Sequence, residues 1–294
     1  MRIPPLVAAA FLLASAPPAA AQSLAACGFD STVEELVLLE RLDASVRYDP
    51  EPMIAYDWRA AYDRIAVVEL PAVENRYALF ESDRERRSDI AIRGTVNLKN
   101  ALFDVEFLKR RSPELGVALH SGFEKVAYAL YADLRPRLRR EYAVRVSGHS
   151  LGAAEAIIVA MLLSRDGFRI ERVLASAPPK VTDAAGWARF ASLPVLRVAA
   201  PYDPVPFLPP RGPVYEDSPY IQGGGILLLL GGSRVAALEG SYFDDLPAAM
   251  RQVVAEKRHF DVAEHLMPNY LARLFAKEGK VERVDPTEWE RYAK

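Results

Sequence analysis

Sulfur and imidazole are scarce in this chain, which has one cysteine and four histidines in 294 residues. A lone thiol closes no intramolecular disulfide, and dispersed histidines beside it give no Cys/His spacing for structural zinc. An excess of positive charge is also missing: 37 Lys and Arg stand against 39 Asp and Glu, for a net charge of −2. A nucleic-acid-binding surface normally carries a basic excess or stripe. Here the one basic run, Arg135 to Arg140, is short, so nucleic acid is excluded as an obvious partner. Apart from a short N-terminal segment, no apolar run suggests a membrane span. Ile226 to Leu230 is brief and flanked by glycines, which suits a buried strand. With 51% hydrophobic and 26% charged residues, a disordered or collagen-like chain is excluded and a large core can be built.

The N-terminus reads as a bacterial export signal. Arg2 is the only charge before Asp30, and Leu6 to Ala16 is apolar but too short to span a bilayer. Ala19-Ala20-Ala21 offers a small-residue cleavage site. Residues 1–21 are therefore expected to be removed, leaving 22–294 as one domain, periplasmic or secreted. Leu24-Ala25-Ala26-Cys27 also resembles a lipobox. In that alternative residues 1–26 are removed and an acylated Cys27 anchors the protein at a membrane surface.

Farther along, Asp30 or Ser31 can cap a helix bearing Val33, Leu36, Val37, Glu40 and Arg41 at helical spacing. Tyr77 to Phe80 and Ile90 to Ile92 read as a hairpin with a charged tip. Thr95 to Gly116 is loop-like. Helical patterns at Gly122 to Leu134 and Leu151 to Leu163 alternate with β-rich runs at Tyr142 to Val146, Arg172 to Ser176 and Val195 to Ala199. A Pro- and Gly-rich layer follows, and a last helix is predicted from Pro268 to Lys277. Such alternation predicts an α/β fold whose mainly parallel sheet is covered on both faces.

The sharpest local signal is Gly148-His149-Ser150-Leu151-Gly152. A Gly-x-Ser-x-Gly run between a strand and a helix places serine on a strained turn at the carboxyl edge of the sheet, with glycines where backbones come too close for side chains. The helix N-terminus there favours developing negative charge. A serine hydroxyl needs a base. The chain order Ser, acid, His removes His120, and His149, next to the serine on a tight turn, is expected to point elsewhere and to pack or bond locally. His259 and His265 remain. Six residues apart, they would face about 120° away from each other on one helix. His265 is preferred because it lies just ahead of Pro268, a favourable first-turn residue, with His259 kept as the alternative. The base in turn needs a buried carboxylate. Asp203 fits, directly after Val195 to Ala199 and among prolines that stiffen the loop. Asp217 is the reserve, and Asp183 reads as a helix cap. For the oxyanion, the N–H of Leu151 is one donor, and the strand exit Ile92-Arg93-Gly94-Thr95 can supply a second.

Taken together, Ile92-Arg93-Gly94-Thr95, His120-Ser121-Gly122-Phe123, Gly148 to Ala154, Asp203 to Pro210 and the ending His265 to Leu274 resemble the class 3, or fungal-lipase-like, family of the α/β-hydrolase superfamily. The resemblance runs over about Tyr62 to Leu274. It implies Ser150 as nucleophile, Asp203 as acid, His265 as base, Thr95 and Leu151 as oxyanion donors, and a mobile lid over roughly Val96 to Glu114. The chain departs from the family at Ile92, where an aromatic is usual, and at Ala177-Pro178-Pro179-Lys180-Val181. Ala101 and Leu102 stand where a lid tryptophan is often found. In the lid segment, apolar Leu102, Phe103, Val105, Phe107 and Leu108 precede basic Lys109, Arg110 and Arg111. This arrangement suits either a lipid-facing surface or an amphipathic core element with a solvated edge.

The expectation is an exported serine hydrolase that cleaves carboxylic esters of lipids or small molecules by acyl transfer, with no cofactor and no metal. A phospholipase A1 acting on membrane lipids is the alternative enzyme. A non-catalytic binding protein on the same fold and a peptidase are the remoter ones.

Overall fold

The computed structural model describes residues 35, 37–44, 58–94, 108–209, 218–239, 261–285 and 288–292. The signal segment, Cys27, Thr95, residues 96–107 of the expected lid, Asp217 and His259 lie outside the described residues. Among those described, no helix is long and apolar enough to cross a membrane.

The helices are α1 (37–44), α2 (Trp58–Ala61), α3 (Ser121–Leu134), α4 (Leu151–Arg165), α5 (Ala184–Arg189) and α6 (Met267–Phe275). Among the described residues the central sheet has nine strands in the order β1 (Arg64–Leu70), β2 (Asn75–Ser82), β3 (Arg87–Ile92), β6 (Ala143–His149), β7 (Ile170–Ser176), β8 (Val195–Ala199), β9 (Gly225–Leu229), β10 (Arg234–Glu239) and β11 (Glu282–Arg283). From β3 through β9 neighbouring strands run parallel, whereas β1 to β3 and the β9–β10 pair are antiparallel. The expected α/β architecture is therefore present, with the hairpin read at 77–92 as its β2–β3 pair.

Residue alternation builds the two layers, because successive side chains on a strand point to opposite faces. Tyr77 and Leu79 of β2 join the core beneath α3 and α4, while Ala78 and Phe80 join Tyr270 and Leu274 of α6 and Val37, Leu39 and Leu42 of α1. The middle strands are buried along their length, as a sheet covered on both faces requires. On the α1 side a buried ion-pair cluster replaces apolar packing. Arg145 Nε and Nη2 reach both oxygens of Asp89 at 2.6 and 2.5 Å, Tyr62 donates its hydroxyl to the same carboxylate, and Glu35 accepts from Arg145 and Arg172. Bidentate geometry fits Arg for this position.

Three strands of the central sheet escape the sequence reading. β1 exposes Ile65 and Val67 on the sheet edge and so lacks a clean apolar face. β10 and the two-residue β11 close the other edge. The region read as loop from Thr95 to Gly116 is corrected in part: β4 (Lys109–Arg111) pairs antiparallel with β5 (Ala118–His120). Its turn is closed by Gly116 at φ 68°, whose N–H donates to Ser112 O at 2.9 Å, a left-handed position that suits glycine. A strand reading Lys-Arg-Arg shows no apolar alternation, which is why the pattern hides it.

Candidate active site

β6 delivers Ser150 to the carboxyl edge of the sheet in a backbone conformation of φ 61° and ψ −128°, sterically costly for a non-glycine residue. The turn is tight enough to dictate both flanking glycines. A Cβ on Gly148 would lie 2.3 Å from Gly152 O, and one on Gly152 would lie 2.4 Å from Ile92 O. Ser150 N–H donates to Ser176 O across the sheet at 2.9 Å. Leu151 opens α4, so its N–H has no acceptor within the helix. Gly94, buried against Gly152, brings the β3 exit to the same helix end. Its successor Thr95 falls outside the described residues.

His265 ends the short 3-10 turn Val262–His265, and α6 follows with Pro268 in its first turn. The imidazole Nε2 lies 2.8 Å from Ser150 Oγ, and Nδ1 lies 3.0 and 2.9 Å from the two oxygens of Asp203. All three residues are buried. Asp203 sits just beyond β8 and is held from two further sides. Val205 N–H donates to Oδ1 at 2.9 Å and the Tyr270 hydroxyl to Oδ2 at 2.7 Å, while that hydroxyl accepts from Ala200 N–H at 2.9 Å. Burial, then the Asp203 charge, pushes the Tyr270 phenol well above its ordinary range, so it remains a donor. With Asp203 accepting from Nδ1–H, the lone pair of Nε2 faces the serine.

The other candidates have different places. Asp183 caps α5 by accepting from Gly186 N–H at 3.0 Å, as expected of a cap. His120 Nδ1 accepts from Phe123 N–H at 3.4 Å as the cap of α3, and burial lowers its imidazole to about 4. His149 does turn away from the serine, but its partner is not local in sequence: Nε2 lies 2.8 Å from the main-chain oxygen of His265. Lys109, read as part of a basic edge, turns inward with Nζ 3.6 Å from Asp183 Oδ2 and 4.5 Å from the Tyr220 ring centroid.

Sequence reasoning missed Tyr270 and the acids behind the site, Glu40 and Asp43. Both acids lie on α1 and are buried between helix and sheet, where Glu40 accepts from Ser176 Oγ and Asp43 accepts from Ser147 Oγ at 2.6 Å. Burial, then the Glu40 charge, raises the Asp43 carboxyl well above the usual range. One signal for α1 was available, since Val37, Glu40 and Asp43 recur at the spacing of one helix face.

A serine on a strand-to-helix turn, with a carboxylate and an imidazole arriving from later strand ends, is the arrangement of the α/β-hydrolase fold. Residues 90–212 match the family model described as lipase (class 3). A lipase of Rhizomucor miehei is 30% identical over 145 residues, covering 44% of this chain and 39% of that protein. A secreted mono- and diacylglycerol lipase of Fusarium solani is 27% identical over 134 residues, covering 41% and 39%. The match thus spans under two fifths of the length of these curated relatives. Among solved structures, lipase II of Rhizopus niveus superposes with a TM-score of 0.63 at 18% identity, covering 80% of this chain and 93% of that one. A mutant form of MDLA from Penicillium cyclopium gives 0.57 at 19%, covering 84% and 98%. Over residues 90–212 the chain is similar to the class 3, fungal-lipase-like family, and its fold is that of the solved lipases.

Proposed function

We propose that this chain is an exported serine carboxylic-ester hydrolase of lipase type, acting through Ser150, His265 and Asp203 by way of an acyl-enzyme. The observation that carries the reading is the unbroken hydrogen-bonded series from Ser150 Oγ to His265 to Asp203. In the first half-reaction His265 Nε2 takes the Ser150 proton as Oγ bonds to the ester carbonyl carbon. The carbonyl π pair moves to oxygen, where Leu151 N–H and Thr95 supply donors. Collapse of the tetrahedral adduct expels the alcohol, which receives the proton from His265, and leaves an acylated serine. Water then repeats the sequence, giving its proton to His265, and the acid is released with the Ser150 hydroxyl restored. Asp203 offsets the imidazolium charge in both halves.

The names of the relatives, lipases and a mono- and diacylglycerol lipase, support acylglycerols as the substrate class, and the secreted Fusarium relative supports export. Cleavage after Ala21, or acylation at Cys27 with membrane contact, belongs to the same proposal, and an intact mass of the exported form distinguishes them. The reading is tested by Ser150→Ala. Ester hydrolysis is expected to fall to a residue of about 10³ to 10⁴ over the uncatalysed rate, with the fold intact. Unchanged turnover would remove the serine mechanism, and rates on acylglycerols against phospholipids separate a lipase from a phospholipase A1.

A further inference from the structure

Behind the nucleophile lies a second carboxylate–imidazole pair. His149, adjacent to Ser150 at the end of β6, is buried with its side chain toward α1. Its Nδ1 lies 3.5 Å from Glu40 Oε1, and Nε2 lies 2.8 Å from the main-chain oxygen of His265. Its ring meets Tyr270 edge-on and the His265 ring at a tilt, each at 5.0 Å between centroids. The titratable groups around it are Glu40 and Asp43 from α1, Tyr270 from α6, His265, and Asp203 beyond them.

Resting on the esterase reading above, we infer that His149, with Glu40 behind it, is a positioning residue that holds the base through its backbone. A carbonyl oxygen only accepts, so His149 Nε2 must carry a proton, and the bond is Nε2–H to His265 O. Nδ1 then faces Glu40 Oε1 at 3.5 Å with no hydrogen bond between them, so the tie rests on the Nε2–H bond. The N–H groups of Asn269 and Tyr270 turn instead to Leu266 O. The residue before the nucleophile therefore grips the residue that is the base. This tie differs from the Nε2–Oγ bond between His265 and Ser150 in one respect: it survives acylation. Once Ser150 Oγ is esterified it has no proton to give His265, and the grip from His149 still holds the imidazole where the deacylating water needs it. Its loss should therefore slow deacylation more than acylation. A misplacement of about 1 Å in such a site costs up to ~10²-fold.

The test compares His149→Leu with His149→Gln on a p-nitrophenyl ester, measured in the steady state and before it. For His149→Leu, kcat should fall about 10- to 100-fold with KM falling alongside, and a burst of p-nitrophenolate should mark accumulating acyl-enzyme. The Gln variant, whose amide can donate to the same carbonyl, should recover to within about threefold of wild type and show no burst. A general loosening would depress both half-reactions and give no burst. That outcome, equal losses in both variants, or no loss in either overturns the inference. Should the Leu variant not fold, two-bond 15N–1H spectra of the wild-type protein decide: a protonated His149 Nε2 is expected, and a bare one overturns the account. Failure of the underlying esterase reading looks different, because Ser150→Ala would then keep its turnover.

Discussion

Replacing Asp203 by Asn separates charge and tautomer from shape. The carboxylate takes Val205 N–H on Oδ1, the Tyr270 hydroxyl on Oδ2, and His265 Nδ1–H between them. An amide of the same outline keeps a single acceptor oxygen. If that oxygen stays with Val205, the amide NH2 points at Tyr270 and at Nδ1. Two donors then oppose one another unless His265 moves its proton to Nε2. That tautomer presents N–H, not a lone pair, to Ser150 Oγ at 2.8 Å and cannot deprotonate it. The expected loss in kcat is about 10⁴-fold with KM little changed, equivalent to about 5.4 kcal/mol of transition-state stabilisation. The assay is steady-state hydrolysis of a soluble short-chain ester, with circular dichroism to show that the fold is retained. An Asp203→Asn enzyme keeping more than about a tenth of the wild-type kcat, far above the loss expected of a wrong tautomer, would refute the reasoning, since its base would be working without the proposed partner.

Two further outcomes follow from the packing. Gly152→Ala places a methyl 2.4 Å from Ile92 O and 2.9 Å from Gly94 N, both backbone, so β3 and α4 must separate. A loss of about 1 to 3 kcal/mol in urea unfolding is expected together with a fall in kcat, and a variant as stable and active as wild type would contradict the described turn. Glu155 on α4 is buried beside Asn75, whose amide donates to it at 2.6 Å, and burial raises its carboxyl from 4.5 to about 8. Because the folded pKa lies above the unfolded one, the fold is favoured by protonation below about pH 4.5 and loses that advantage as pH rises to about 8. Glu155→Gln keeps the acceptor and cannot ionise. Its stability relative to wild type should be near zero at about pH 4 and grow by about 1.4 kcal/mol per pH unit up to about 8, and a pH-independent difference in denaturant unfolding would contradict the assignment.

The parallel sheet was legible because its strands alternate with apolar helices, and the Ser150 turn because its whole signature is local: strand, two glycines around a serine, helix. Asp203 and His265 could be singled out by chain order and by their places after a strand and before Pro268, and the structure brings both to Ser150. What local pattern could not carry is burial that depends on distant segments. Glu40 shows only helical spacing in the sequence, and Ser176 and His149 wait for it on strands more than one hundred residues later. Nothing local to Tyr270 marks it as a donor to Asp203. β4 hides because basic residues fill it, and Lys109 finds its partners, Asp183 and Tyr220, only after folding.

The most direct measurement of the central claim is covalent. A fluorophosphonate probe, which reports an activated serine, is reacted with the intact protein and the adduct is mapped by peptide mass spectrometry. A single stoichiometric adduct on Ser150, suppressed in His265→Ala, is expected. An adduct on another serine, or none on a folded and ester-cleaving protein, would contradict it.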